Sequence, residues 1–351
     1  MSKFSQRVTI IIPFFNAQMT IARCVKSVQK QKYNNIDVIL INDCSTDKSI
    51  TLINSLISDD SRFKIFSNDL NQGPSVSRNI GLKFAAGTFI YFLDADDHIT
   101  DTAISDLVMN SDTYDLICSG HIQEKKFGVK IPINHEMYKN LAFGTPELLE
   151  YTKNYLRIPY KYTMLVHCWN KLYRNEIIVE KGLSFNEDLT QLEDVEFNFR
   201  YLAEIDKLFY LDKYNYFYVL SDNFSNLSSQ AGLEENPIEN CCIAFKAIKD
   251  YILKQGKNTS YLENELKHHF VSTSIIYMIR LMRAFLNKPK AIYINKINIW
   301  LRSSLLQKAI PYYVVQPGES KFIKFALMTK SIYIVTVILM VRHVQLTYHS
   351  K

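Results

Sequence analysis

Short apolar runs alternate with stretches of helical spacing in the first hundred residues. The apolar runs are rich in β-branched and aromatic residues, which is typical of buried strands, and they cover residues 8–16, 36–41, 63–66 and 89–93. The stretches between them repeat apolar residues every three or four positions, which predicts helices. These stretches cover residues 20–31, 50–57 and 76–86, the last closed by Gly87. The alternation predicts an α/β fold with a doubly wound, mostly parallel sheet and helices on both faces.

Three carboxylates follow the fourth apolar run directly. Asp94, Asp96 and Asp97 would lie at the carboxyl end of a strand, where open α/β sheets bind ligands. Acids this close repel one another unless a cation lies between them, and Mg²⁺ or Mn²⁺ prefers hard oxygen ligands. An isolated Asp-x-Asp is more often a solvated acidic turn, but the alternation upstream favours a metal and phosphate site.

The pattern changes in the last third of the chain. From about residue 236 the spacing is helical, and basic residues recur among the apolar ones. We therefore divide the chain into a catalytic domain at 1–220, a helical region at 221–320 and a basic, apolar tail at 321–351. The uncharged run 331–341 is too short to span a bilayer, which needs about 20 apolar residues. An interfacial segment and a buried packing helix are equally good interpretations of this run.

Composition narrows the function classes. The 351-residue chain is 47% hydrophobic, which allows a sizeable core, and its net charge is +6. The first 200 residues contain no dense basic stripe with interleaved aromatics, so a nucleic-acid partner is not expected. The six cysteines have no metal-ligand spacing and are interpreted as reduced, buried residues. Lys3 and Arg7 precede an apolar run that is too short for a signal peptide and fits a first strand better, so we expect a cytoplasmic protein.

Five ordered blocks resemble the family 2 glycosyltransferases of the GT-A fold. They are 8–16, 37–47, 71–79, 87–97, and 168–174 together with Glu193-Asp194. The family often has Asp-Asp-Gly-Ser where this chain has Asn42-Asp43-Cys44-Ser45. Cysteine in place of glycine removes backbone freedom at that turn.

The resemblance implies a nucleotide-sugar site and a divalent metal, Mn²⁺ or Mg²⁺. Asp43 would accept a hydrogen bond from the uracil N–H, which favours a UDP donor, and a turn or helix-capping role is the weaker alternative. Arg78 would hold a phosphate or the acidic cluster, Asp96 would bind the metal directly, and Asp97 would bind it or orient a ligand. The nucleotide-sugar residues implied by the resemblance are Pro13, Phe14, Asp43, Asn71, Arg78, Asp94 and Ala95.

The resemblance also implies a catalytic base. Asp194 matches the family's base position and Glu193 adjoins it, although acids at a helix N-terminus are favoured by the helix dipole in any protein. A single base and direct displacement imply inversion at the anomeric carbon. Trp169 and Lys171 are candidate acceptor residues, and Trp169 is equally plausible as a core anchor.

The expected function is metal-dependent transfer of a hexosyl or N-acetylhexosaminyl group from a nucleotide sugar. The expected acceptor is a hydroxyl of a glycan or lipid-linked glycan in surface polysaccharide synthesis, at the inner face of the cell membrane. A nucleotidyltransferase is an alternative, but it would have a glycine- and basic-rich signature that 8–16 lacks. A non-catalytic sugar-nucleotide-binding protein is another, but it would be expected to lose an acid from one cluster, and both clusters are intact.

Overall fold

The structure is a computed structural model of the chain. It describes residues 6–125, 128–133, 140–159, 161–220, 237–256, 259–287, 289–315 and 320–349, with the backbone alone for 342–349. The chain divides into two units. The first comprises 1–149 and 162–226, and the second comprises 150–161 and 227–351.

One mixed sheet forms the centre of the first unit. Its strands are β1 (Val8–Phe14), β2 (Ile36–Asn42), β3 (Phe63–Ser67), β4 (Phe89–Phe92), β5 (His98–Ile99), β6 (Leu116–Glu124), β7 (Lys130–Ile133), β8 (Leu141–Phe143), β9 (Lys171–Arg174) and β10 (Leu208–Val219). The order is β3-β2-β1-β4-β9-β6-β10-β5, with β7 on β6 and β8 on β10. The first four strands are parallel, as predicted. The other half is mixed, because β9 runs antiparallel to both β4 and β6.

The helices of the first unit connect these strands. They are α1 (Ile21–Gln29), α2 (Ser49–Ile57), α3 (Gly73–Phe84), α4 (Ala103–Val108), α5 (Thr145–Arg157, which continues into the second unit), α6 (Asn175–Glu180) and α7 (Glu193–Leu202). The predicted end of α3 at Gly87 is wrong, because the helix ends at Phe84 and Ala85 is extended. Gly87 instead allows a close approach to β1. Its N–H donates to Thr9 Oγ1 at 2.9 Å, and a Cβ there would lie 2.5 Å from Thr9 N.

The hydrophobic core of the first unit is built on the strands of the sheet and the helices that pack against them. Strands β1, β2 and β4 are almost entirely buried, which explains their continuous apolar sequences. Helix α1 buries Ile21, Cys24, Val25 and Val28 and leaves a basic face exposed. All six cysteines are free, and Cys24, Cys118, Cys168 and Cys241 are buried, in agreement with the prediction of reduced thiols.

The second unit is helical, as predicted for the C-terminal third. Beyond residue 236 its helices are α8 (Pro237–Lys254), α9 (Ser260–Asn287), α10 (Ala291–Arg302), α11 (Ser304–Ala309), a 3-10 turn (Ile310–Tyr312), α12 (Ile323–Thr329) and α13 (Ile332–His349). The predicted tail belongs to this unit, because α12 and α13 bury Ile323, Ala326, Leu327, Val335 and Leu339. No helix within the described part of the chain is long and apolar enough to cross a membrane.

Candidate active site

The three predicted acids form one cluster at the end of β4. The chain turns tightly there, and the Asp97 N–H donates to the Asp94 carbonyl at 3.1 Å. One carboxylate oxygen from each of Asp94, Asp96 and Asp97 lies within 4.8 Å of the others. Such a set of hard oxygen donors fits a divalent cation.

Asp97 differs from the other two acids because it is fully buried and each of its two oxygens accepts a hydrogen bond. Its Oδ2 accepts from the Tyr216 hydroxyl at 2.5 Å, and its Oδ1 accepts from Val219 N at 2.8 Å. Burial, together with the charges of Asp96 and Asp94, raises the pKa of Asp97 well above its usual range. These bonds attach the acidic turn to β10. Of the two roles predicted for Asp97, metal binding and orientation of a ligand, they favour the second.

Arg78 connects this turn to the second acidic pair. Its guanidinium is 5% exposed. Its Nη2 donates to Asp94 Oδ1 at 3.1 Å, and its Nη1 donates to Asp194 Oδ1 at 3.1 Å and Glu193 Oε1 at 3.4 Å. Two partners were predicted for Arg78, a phosphate or the acidic cluster, and the structure shows Arg78 bonded to the acidic cluster. One buried cation thus gathers carboxylates that lie about a hundred positions apart in the sequence.

Burial shifts the protonation of the gathered acids. It raises the pKa of Asp94 to about 6, with contributions from Asp96 and Asp194 and against the lowering effect of Arg78. Burial and the charge of Asp194 raise the pKa of Glu193 to about 7, again against Arg78. One guanidinium does not fully offset three carboxylates in a low-dielectric site, so burial favours the protonated forms of Asp94 and Glu193 more than in an exposed carboxyl group.

The first turn of α7 carries the second pair. Leu192, directly before it, has a φ of +66°, a left-handed conformation that costs a non-glycine residue roughly 1–2 kcal/mol. Asp194 Oδ2 accepts from Cys168 N at 3.1 Å, so both of its oxygens are bonded. Glu193 Oε1 accepts from Arg78, and no other residue that the structure describes donates to its Oε2. Two hydrogen bonds therefore fix the carboxylate of Asp194, whereas one oxygen of Glu193 is open to a ligand.

The neighbouring acids have other partners. Glu196 is buried and forms an ion pair with Arg200 at 2.7 Å, and Glu187 accepts from Asn79 Nδ2 at 2.9 Å. These bonds distinguish Glu193 and Asp194 from the other carboxylates in this part of the sequence.

The predicted base-pocket residues meet at the adjacent ends of β1 and β2. Phe14 pairs in register with Asn42, and the Asp43 N–H donates to the Phe14 carbonyl at 2.9 Å. Asp43 is buried, and its carboxylate accepts from Asn68 Nδ2 and from the backbone N–H groups of residues 72 and 73, at 2.7–3.0 Å. Asp43 thus fixes the start of α3. This is the turn or helix-capping role that the sequence offered as the alternative to nucleotide binding. Two other predicted residues border this region, with Pro13 in β1 and Asn71 exposed just before α3.

Cys44 keeps a glycine-like backbone. Its φ is +63°, and its Sγ donates to the Asp69 carbonyl at 3.4 Å. The turn therefore keeps a backbone suited to the family's glycine, and a side chain occupies it under strain.

Trp169 and Lys171, the two candidate acceptor residues, are both buried, which favours the core-anchor role considered for Trp169. Trp169 is 4% exposed and stacks on His167 and Tyr216, with ring centroids 4.5 and 4.4 Å apart. Lys171 is 3% exposed, and its ammonium donates to the carbonyls of His167 and Trp169. Both residues stabilise the interior beside the site.

Comparison with known proteins identifies the domain. Residues 9–180 match the family model described as Glycosyl transferase family 2. The chain belongs, through this segment, to glycosyltransferase family 2. This assignment explains why the predicted blocks and the acidic turn occur together.

Several curated relatives of this family 2 chain are bacterial glycosyltransferases. Glycosyltransferase EpsJ of Bacillus subtilis is 28% identical over 214 residues, which is 60% of each chain. The poly(ribitol-phosphate) beta-N-acetylglucosaminyltransferase TarS of Staphylococcus aureus is 25% identical over 274 residues, 77% of this chain and 44% of TarS. The GalNAc(5)-diNAcBac-PP-undecaprenol beta-1,3-glucosyltransferase of Campylobacter jejuni is 35% identical over 106 residues, 30% of this chain and 34% of the relative. The matched segments thus span less than two thirds of the length of these relatives.

Solved structures agree with the GT-A fold. The TarS fragment 1–349, solved with UDP-GlcNAc, has a TM-score of 0.66 at 20% identity, covering 95% of this chain and 90% of the fragment. A mannosyltransferase from Pyrobaculum calidifontis, solved with GDP-Man and Mn²⁺, has a TM-score of 0.51 at 14% identity, covering 97% and 87%. At these identities the likeness establishes the fold.

Proposed function

We propose that this protein is a metal-dependent, inverting glycosyltransferase that moves a sugar from a UDP donor to a glycan hydroxyl. The observation that carries the proposal is the meeting of Asp94 with Glu193 and Asp194 around Arg78. A transferase needs a donor phosphate site and a base for the acceptor hydroxyl within one sugar's reach. Neither acidic group alone would distinguish such an enzyme from a nucleotide-binding protein.

The donor would bind across the ends of β1, β2 and β4. Pro13, Phe14 and Asp43 would line the base pocket, Asn71 would border it, and Asp94 with the Ala95 backbone would contact the ribose. Asp43 has four acceptor positions and three bonds, so one position is left for a uracil N–H. UDP-GlcNAc is the first donor to test, because the TarS fragment of the same fold was solved with it.

The acidic turn fits a divalent metal. Asp96, the most exposed of the three acids, would bind it, and Asp97 would hold the turn from behind through β10. When bound, Mn²⁺ or Mg²⁺ would offset the negative charge of the leaving diphosphate. Arg78 would keep Asp94 directed at the same phosphate and ribose region.

The acceptor hydroxyl would lose its proton to the pair at the start of α7. The family resemblance favours Asp194, and Glu193 offers an open oxygen and a pKa of about 7, close to the value that suits a general base at neutral pH. Attack opposite the leaving diphosphate would invert the anomeric configuration.

The test is release of UDP from a set of UDP-sugars with Mn²⁺, with and without glycan acceptors, beside calorimetric donor titration. Asp96→Ala should lose donor affinity and roughly 10²–10³-fold in turnover. Asp194→Asn and Glu193→Gln should separate the base from its neighbour. Substitution of the true base should lower the rate of transfer by roughly 10²–10⁴-fold and leave donor binding unchanged. Glu187→Gln is the matched control. Full turnover in excess EDTA would refute metal dependence, and donor binding without turnover would favour the non-catalytic alternative.

We also propose that α12 and α13 bind the cytoplasmic face of an anionic membrane, where a lipid-linked acceptor would lie. Phe322, directly before α12, and Phe325 on α12 are 70% and 64% exposed, and Lys321 and Lys330 flank them on the surface. Each lysine near an anionic surface would contribute about 1 kcal/mol. Lys324 does not add to this, because its ammonium donates to the carbonyls of Pro311 and Tyr313. Arg342 and Lys351, two flanking cations of the predicted tail, lie outside the side chains that the structure describes.

Flotation with phosphatidylglycerol vesicles tests the membrane proposal. Phe322→Glu/Phe325→Glu should abolish flotation at low salt. Ile299→Glu, a change at an equally exposed apolar residue on α10, should leave flotation intact. Full-length protein that stays at the bottom of the gradient, or equal loss in both variants, would refute the proposal.

A further inference from the structure

A wide groove lies beside the acidic turn in the first unit, outside the proposed donor site. It runs between α1 and the segment 98–102, with Phe217 of β10 as part of its wall, and has a volume of about 720 Å³. This size is within the range of small-molecule sites. Arg23 lines the groove and donates to the Asp96 carbonyl at 2.6 Å, so the groove begins at the loop that carries the proposed metal ligand.

The groove is lined by cations. Arg23 and Lys26 on α1 and Lys30 at its C-cap are spaced by three and four positions, which places them along one side of the helix. All three are exposed. Neither Lys26 nor Lys30 has a carboxylate within ion-pair distance among the described residues. Asp101 is the acid that lines the same groove. Three cations therefore face one carboxylate along about 10 Å of helix.

The uncharged polar groups of the groove are already bonded to the protein. Thr100 Oγ1 donates to Asn215 Oδ1 at 3.1 Å, and Thr102 Oγ1 donates to Asp106 Oδ2 at 3.0 Å. Ser27 Oγ donates to the Cys24 carbonyl at 2.7 Å. The lysine ammonium groups are thus the available recognition groups, and their natural ligand is an anion with several charged oxygens.

We propose that this groove binds phosphate groups of the acceptor and guides the acceptor chain to the transfer site. The inference rests on the proposed function, because it identifies the acceptor class of the same reaction. Lys26 and Lys30 lie in line along the groove, which starts at the acidic turn. This arrangement fits a chain with repeated or clustered phosphates better than a neutral glycan. The phosphate could come from a phosphodiester-linked glycan or from the diphosphate of a lipid-linked sugar, and the two sources are separable.

The test compares Lys26→Glu/Lys30→Glu with Lys83→Glu. Lys83 is exposed and lies in the last turn of α3, as Lys26 does in α1, so the control reproduces the unfavourable interaction of a glutamate with a helix C-terminus. Lys26→Gln/Lys30→Gln removes the charges without reversing them, and circular dichroism monitors folding of all variants.

Three probes distinguish the sources: a soluble glycerol-phosphate oligomer, a lipid-diphosphate-linked disaccharide in micelles, and a neutral cellopentaose. We expect the wild type to bind at least one phosphate-bearing probe, with affinity falling as salt rises. We expect at least tenfold weaker binding in the glutamate double variant, a smaller loss in the glutamine variant, and no loss in Lys83→Glu. The probe that responds identifies the source.

Equal affinity in the wild type and the double variant, equal binding of cellopentaose, or no binding of either phosphate probe would overturn the inference. Donor hydrolysis without acceptor, measured on the same samples, keeps this result separate from the proposed function. Hydrolysis should be unchanged in the double variant. Its absence from the wild type would count against the transferase proposal and leave the binding result as measured.

Discussion

Replacing Arg78 by methionine removes the shared cation and keeps the volume of the side chain similar. Three carboxylates with 15–27% exposure then lose their partner. Removing one member of a buried ion pair costs roughly 3–5 kcal/mol. The partial exposure of the acids favours the lower end, so we expect a loss of about 3 kcal/mol in the free energy of unfolding at pH 8.

The loss should shrink as the pH falls. In the wild type the native pKa of Glu193, about 7, lies above its ordinary value of 4.5. Protonation therefore stabilises the native state fully below about pH 4.5, and this contribution is lost as the pH rises through 7. Without Arg78, which lowers the pKa of both Asp94 and Glu193, these two native pKa values rise further, so the variant holds more protons. Each extra proton reduces the difference from the wild type by about 1.4 kcal/mol per pH unit, which predicts a difference near 1 kcal/mol at pH 5.

Urea denaturation of both proteins at pH 5, 6.5 and 8, with EDTA present, measures this difference. Arg174→Met is the matched control, because Arg174 pairs with a single carboxylate, Asp115 at 3.2 Å, and with the carbonyls of Ser111 and Tyr114. Its destabilisation should depend much less on pH. A difference below 1 kcal/mol at pH 8, or one that stays constant from pH 5 to 8, would refute the assignment of Arg78 as the charge that holds the site together.

Three further substitutions test individual positions by denaturant titration. Cys44→Gly should raise the free energy of unfolding by about 0.5–1 kcal/mol, because relief of a left-handed backbone outweighs the entropy of glycine, and no gain would mean that the thiol bond offsets the strain. Gly87→Ala should cost about 1–3 kcal/mol, because its Cβ would lie 2.5 Å from Thr9 N; a neutral result would show that β1 moves away freely. Asp97→Asn should cost about 1–3 kcal/mol, since one carboxamide cannot accept from both Tyr216 and Val219 through separate oxygens, and an unchanged midpoint would contradict the anchoring role.

The first half of the sheet could be predicted from the sequence because its signals are local. Strands β1 and β4 are continuous apolar runs, and each is buried on both faces, so burial and composition agree. Strands β9 and β10 carry no such signal. They are defined by antiparallel and parallel pairing with distant strands, and periodicity does not report pairing partners.

The carboxylates of the site could be predicted from their spacing, but their partners could not. The N–H of Cys168 and that of Val219 are backbone donors, and a backbone donor has no signature in the sequence. The positive φ of Leu192 is equally invisible, because leucine rarely adopts it. For Trp169 the sequence left two roles open, because indole serves both as a sugar platform and as a core anchor, and only the aromatic rings stacked on it favour the second role.

The attachment of Asp97 to β10 has a consequence for the order of folding. Its two partners lie 119 and 122 positions later in the chain, whereas β1 to β4 pair within the first hundred residues. Closing the longer loop costs more chain entropy, and contacts of this separation form slowly. A refolding chain should therefore protect the amides of β1 and β2 from hydrogen exchange before those of residues 94–97. The acidic turn, although complete in sequence by residue 97, would acquire its final geometry only when β10 joins the sheet.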